Sequence, residues 1–154
     1  MIAALLRSGL QGATYKNTMK QWIKIQRIPG VLASSYEKAT RLVIESYYSQ
    51  VAEEIVSSLR KGTLLDLGSG PGYLPIEVVK RSPSIRCDGI DLSGWLIKMA
   101  LVNAGKAGVA DRLNFEVGNA AKLRFEDESY DMVISTGMLH MLRDPVRMLK
   151  ECYR

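Results

Sequence analysis

Leu64-Leu65-Asp66-Leu67-Gly68-Ser69-Gly70-Pro71-Gly72-Tyr73 decides how this chain folds. An apolar run enters it and a helix-compatible segment leaves it, so the glycines turn a buried strand into a helix. Such a turn lets a ligand touch backbone, because a side chain there would occupy the space. The spacing separates two kinds of ligand. A dinucleotide loop runs GxGxxG and would place its third glycine at position 73, where this chain has Tyr73. Here Gly68, Gly70 and Gly72 alternate as GxGxG, with Asp66 before them. A second acid, Asp91, ends the next apolar run 23 residues beyond Gly68. At the tip of a second strand its carboxylate can accept hydrogen bonds from two ribose hydroxyls. The alternative is a surface acid favoured by the dipole of the helix that follows.

Outward from this loop the chain alternates strand and helix. Upstream, Ile28-Pro29-Gly30 breaks the chain and Ser34 or Ser35 can cap a helix. Val43, Tyr47, Val51, Ile55 and Leu59 recur every four residues along it, drawing one apolar stripe. Lys61-Gly62 ends it, and Thr63 to Leu67 is the first strand. Downstream come a helix from Leu74 to Arg81, a strand from Ile85 to Leu92, and a helix capped by Ser93 that runs to about Ala107. Trp95, Leu96, Met99, Ala100 and Val102 are available to that helix's buried side. Leu113, Phe115 and Val117 alternate as a third strand, and Tyr130 to Ser135 supplies a fourth. Asp144-Pro145 then opens a last helix. The expected fold is α/β: a Rossmann-like, doubly wound parallel sheet, incomplete at its C-terminal side and preceded by helices. The expected division is a basic helical extension over 1–30 and a cofactor-binding domain over 31–154.

The 154 residues, 47% hydrophobic and 24% charged, suit a globular domain with a real core. No apolar run approaches the ~20 residues of a membrane-spanning helix. Cys87 and Cys152 lie far apart without CxxC spacing, which points to a reducing compartment and a cytoplasmic protein, with no metal site expected. The net charge of +5 is unevenly placed. Before Glu37 there are no acids, while Arg7, Lys16, Lys20, Lys24 and Arg27 are basic; from Glu37 onward 16 basic residues balance 16 acidic ones. Three readings of the basic segment stand: a solvated helical face, a targeting presequence, or a contact surface for phosphates or a membrane. The neutral body argues against a nucleic-acid enzyme.

From Thr63 to about Glu151 the chain resembles the N-terminal half of a class I S-adenosylmethionine (SAM) dependent methyltransferase, of the small-molecule and quinone-biosynthesis kind. The resemblance implies that Asp66 sits near the methionine amino group of SAM. Gly68, Ser69, Gly70 and Gly72 would make room for the methionine and ribose portions. Asp91 would hold the ribose and Leu92 would pack on adenine. Gly118-Asn119-Ala120 stands where the family often has Gly-Asp-Ala, and an Asn119 carbonyl can still accept the adenine amino group's bond. Tyr130-Asp131-Met132-Val133 is similar to the family's fourth strand. Tyr36, from the N-terminal helices, and Ser135 and Thr136, after the fourth strand, are further candidates for contact with cofactor or acceptor. Each also has a plain packing role open to it.

SAM brings a good electrophile, so the protein's task is to align and to exclude water. A hydroxyl or acidic carbon as acceptor would call for a base. His140, the sole histidine, is placed for that, although it can equally pack beside Leu139 and Leu142. No (Asp/Asn/Ser)-Pro-Pro-(Tyr/Phe) motif and no Pro-Cys nucleophile follows the fourth strand, which favours a small-molecule acceptor by elimination. Two classes of function remain: a methyltransferase, or a SAM-binding module without catalysis; a nicotinamide dehydrogenase is disfavoured by the loop spacing. The family's sheet has seven strands, so the chain is expected to be incomplete. Its fourth strand would then present an apolar edge open to self-association.

Overall fold

The computed structural model describes residues 33–136, 138, 139, 142 and 144–154, with side chains from residue 46 onward. The chain divides into two compact units, Met1–Tyr47 and Tyr48–Arg154. Of the first, only the helical backbone beginning at Ala33 is described. The basic segment and His140 lie outside the described residues, and Tyr36 is described only as part of a helix.

The elements are α1 (Ala33–Ser58), β1 (Gly62–Leu67), α2 (Tyr73–Arg81), β2 (Ile85–Asp91), α3 (Gly94–Ala107), β3 (Leu113–Val117), β4 (Met132–Ile134) and α4 (Pro145–Tyr153), with a 3-10 turn at Ala110–Arg112. The four strands form one sheet in the order β3-β2-β1-β4, and all pairs are parallel. β1 is flanked on both sides, which is why Leu64, Leu65, Asp66 and Leu67 are all buried. An apolar strand with no alternation is what a doubly covered parallel sheet requires. β4 is Met132-Val133-Ile134, the apolar centre of the run from Tyr130 to Ser135, and it pairs opposite Leu64, Leu65 and Asp66. Beside that register the Asp131 amide donates to the Thr63 carbonyl at 3.0 Å, and its carboxylate adds two more bonds. Asp131 Oδ2 accepts from the Thr63 amide at 2.7 Å and from Thr63 Oγ1 at 3.0 Å.

One face of the sheet carries Leu64, Ile85, Cys87, Leu113, Phe115, Met132 and Ile134, packed against α2, α3 and the C-terminal half of α1. Ile55 and Leu59 from the every-fourth-residue stripe are buried here, joined by Ala52, with Val51 half-buried. The opposite face carries Leu65, Leu67 and Ile90 under Ala120, Met148 and the half-buried Leu123, Phe125 and Tyr130. The chain leaves the sheet at β3, crosses this second face and re-enters at β4. The direction of strand order therefore reverses between β1 and β4, and the crevice at such a reversal is where ligands bind in open α/β sheets.

α3 starts and stops as its sequence suggests. Ser93 Oγ accepts from the Leu96 amide at 3.4 Å, and Gly108, at φ 69°, closes the helix in a left-handed cap. Of the residues expected on its buried side, Ala100 is buried, Leu96 and Met99 are half-buried, and Trp95 and Val102 are exposed. Ile97, Ala100 and Ala104 point inward, while Trp95 is 68% and Val102 55% exposed. The Ala100 methyl packs against Gly72 beside the Phe115 ring, a close contact that a small side chain fills.

Candidate functional site

The loop after β1 sits at the carboxyl ends of β1 and β2. The Gly68 and Ser69 amides both donate to the Ile90 carbonyl, at 2.8 and 3.0 Å, and Gly72 N donates to Ser69 O at 3.0 Å, so the loop is pinned to its neighbouring strand. Gly68, Gly70 and Gly72 have φ of 77°, 53° and 79°. The last two serve opposite ends. A Cβ on Gly72 would lie 2.8 Å from the Phe115 ring and 3.0 Å from the Ala100 methyl, so this glycine permits helix-to-sheet packing. A Cβ on Gly70 would meet nothing within 4 Å. Gly70 faces open space, the position where a ligand can approach backbone.

Asp91, half-buried at the end of β2, is fixed by two amides. Gly70 N donates to Oδ2 at 3.0 Å and Ser93 N to Oδ1 at 2.8 Å. A carboxylate has about four acceptor sites, so each oxygen keeps capacity for one further donor. Leu92, beside it, is 69% exposed. The backbone then connects onward, since Gly118 N donates to Asp91 O at 3.0 Å. That brings Asn119 to the same rim, where its Oδ1 accepts from the Ala121 amide at 2.9 Å. Ala120 is buried in the second core and shapes the rim from below.

Asp66 is the buried acid of β1, just before the glycine loop. It is 1% exposed, and its Oδ1 has no hydrogen-bond partner. Burial, and secondarily the charge of Asp91, push its pKa up to about 7. Two more buried polar atoms lack partners: Ser69 Oγ in the loop and Ser135 Oγ just past β4. Orphaned polar atoms are rare in native interiors, and these three belong to segments that meet at one end of the sheet. Among the described residues, no group of three His, Cys, Asp or Glu side chains is placed to hold a metal ion.

Two residues that the sequence reading passed over help build the crevice. Asn103, in the middle of α3, donates from Nδ2 to the Pro71 carbonyl at 2.9 Å and so ties the helix to the glycine loop. The signal was present, since asparagine is a poor mid-helix residue unless its amide has work elsewhere. Met138 lies against Gly68, its Sδ 2.7 Å from where a Cβ would stand. Nothing in the sequence pattern marks a methionine four residues past a strand for that position.

Residues 64–154 match a family model described as a methyltransferase domain. The chain belongs to this family. The fold is that of the class I SAM-dependent methyltransferases, with the sheet incomplete. A ubiquinone/menaquinone biosynthesis C-methyltransferase of Geotalea daltonii is 27% identical over 135 residues, which cover 85% of this chain and 57% of that protein. Among solved structures, a protein of Methanococcus maripaludis assigned as an S-adenosyl-L-methionine-dependent methyltransferase superposes with a TM-score of 0.71 at 28% identity, over 78% of this chain and 55% of that one. A SAM-dependent methyltransferase of Geobacter sulfurreducens, in complex with S-adenosyl-L-homocysteine, gives a TM-score of 0.54 at 26% identity, over 67% of this chain and 43% of that one. The chain thus spans about half the length of the relatives it matches.

Proposed function

We propose that the crevice binds S-adenosyl-L-methionine and that the protein transfers its methyl group to a small-molecule acceptor. The observation that carries this reading is Asp91, anchored by the Gly70 and Ser93 amides with an acceptor site left on each oxygen. That carboxylate suits a ribose diol, and the open side of Gly70 suits a ligand lying along the loop. The unpartnered Asp66 Oδ1 fits a group that brings positive donors, as the ammonium of an amino acid does. Ser69 and Ser135 offer hydroxyls to the same portion, Asn119 and the exposed Leu92 stand at the adenine end, and Gly68, Gly72 and Ala120 shape the floor.

When bound, SAM supplies an electrophilic methyl on a sulfonium. The chain's own residues hold and orient it, and His140 is the proposed base for an acceptor that must lose a proton. We further propose that residues 31–154 act as the cofactor domain and 1–30 as a basic extension, and that β4, which among the described residues pairs only with β1, can join a second copy at its free edge. Calorimetry with S-adenosylhomocysteine and with NAD tests the cofactor. The homocysteine compound should bind and NAD should not, and Asp91→Ala should weaken binding by about 1.5–3 kcal/mol per lost charge-assisted bond. Preference for NAD, or an unchanged affinity in a folded Asp91→Ala, overturns the reading.

A further inference from the structure

A surface helix normally keeps polar residues on its outer side. α3, Gly-Trp-Leu-Ile-Lys-Met-Ala-Leu-Val-Asn-Ala-Gly-Lys-Ala, does not. Trp95, Met99 and Val102 fall at i, i+4 and i+7, on the side away from the buried Ile97, Ala100 and Ala104. Trp95 is 68% exposed and Val102 55%, Met99 is half-buried, and Leu101 on the flank is 51% exposed. Val117 extends this surface at the edge of the sheet. It is 49% exposed, and its Cγ2 would lie 3.6 Å from a Cβ on Gly94, beside the first turn of the helix. Single exposed apolar side chains are ordinary, whereas a cluster led by tryptophan marks a contact surface.

The charges carried by the helix itself have one sign. Lys98 and Lys106 are exposed on α3, and Arg124 reaches the Val117 carbonyl with Nη2 at 3.3 Å. None of the three is in an ion pair among the described residues. α3 contains no acid. The acids around it are Asp91, whose oxygens are bonded to Gly70 and Ser93, the half-buried Glu116, which lines one hollow together with Lys122 and Arg124, and the exposed Asp111.

We propose that this face of α3 docks on an anionic membrane surface, with Trp95 and Val102 at the level of the headgroups and Lys98, Lys106 and Arg124 against lipid phosphates. A second copy of the chain fits less well, since a two-fold contact through α3 would set lysines against lysines. A convex helix face with one aromatic and long cationic stems suits a deformable interface, where lysine stems lie along apolar surface and carry their charge to the headgroups. Because Trp95 lies four residues past Asp91, docking would bring the mouth of the crevice to the bilayer.

Sedimentation of the full chain with phosphatidylcholine vesicles, with and without phosphatidylserine, tests the proposal. The protein should pellet with the phosphatidylserine vesicles and be released by salt. Lys98→Gln/Lys106→Gln should lower the partition coefficient about thirtyfold, at roughly fivefold per cation. Trp95→Ala should lower it too, and in a Trp22→Phe background the Trp95 emission should shift to the blue on vesicles. Both sites are exposed, so circular dichroism of the variants should match the parent. Equal pelleting with both vesicle types, or none, overturns the proposal. So does binding that survives both variants, which would assign it to another basic segment. Self-association abolished by Trp95→Ala without vesicle binding would assign the face to a second copy.

Discussion

Replacing Asp66 by Asn tests the electrostatics of the crevice. In the folded protein Asp66 has a pKa of about 7, against 3.8 for the free side chain, because burial and then the nearby Asp91 disfavour its charge. A group whose folded pKa is raised contributes stability that is fully present below the unfolded value and lost as pH rises through the folded one. The window is therefore about pH 4 to pH 7. A shift of about three units at about 1.4 kcal/mol each corresponds to about 4 kcal/mol, a large share of the 5–15 kcal/mol that holds a domain together.

Asn has the same shape and no charge to bury. Asp66→Asn should match the parent in denaturant stability near pH 4 and exceed it by about 4 kcal/mol near pH 8. Urea unfolding at several pH values, followed by circular dichroism, reads the difference, since titration of the groups that do not interact with Asp66 cancels between the two proteins. Parallel stability curves would refute the reasoning. The same carboxylate is the proposed partner of a cofactor ammonium, so binding should require its ionised form. Affinity of the parent for S-adenosylhomocysteine should then fall about tenfold per pH unit below about 7, with a proton released on binding. Asp66→Asn should be more stable and bind less well.

Asn103→Ala removes the bond from α3 to the Pro71 carbonyl and should cost about 1 kcal/mol of stability while weakening S-adenosylhomocysteine binding, as read by thermal shift with and without the ligand. His140→Gln should reduce turnover by ~10²–10⁴ with cofactor affinity unchanged, measured once an acceptor has been found by screening, and unchanged turnover would give the histidine a packing role.

The loop and the sheet were legible because each rests on a local rule. Gly68, Gly70 and Gly72 all adopt positive φ, and β1 is buried on both faces from Leu64 to Leu67, as its apolar residues on either side of Asp66 suggest. The outer side of α3 was misread because the helix is apolar nearly all round, and periodicity then cannot choose a face. The buried side is close-packed through contacts distant in sequence, such as that of Ala100 with Gly72. The bonds from Thr63 to the Asp131 carboxylate, 68 residues on, are equally non-local. Asn103 and Met138 act on the glycine loop through contacts 32 and 70 residues away along the chain, and no short motif encodes such a pairing.

The two acids of the crevice ought to behave as a coupled pair, and that coupling separates a designed site from two unrelated carboxylates. Asp91 raises the pKa of Asp66 after burial has done so, and Asp91 also holds Gly70 and Ser93 in place. Removing its charge should therefore lower the pKa of Asp66 below about 7 while loosening the loop. Asp91→Asn keeps the shape but turns one amide donor toward a backbone donor, Gly70 N or Ser93 N, so it should lose stability as well as ligand affinity. The pH-dependent gap between Asp66 and Asp66→Asn should shrink when both are measured in an Asp91→Asn background, since part of the penalty for ionising Asp66 is gone. Carboxyl carbon NMR of Asp66 across pH 4 to pH 8 reads the same shift at the residue itself. An unchanged titration would mean that burial alone sets the Asp66 pKa. It would also mean that the cofactor's ammonium meets a carboxylate electrically independent of the one that holds its ribose.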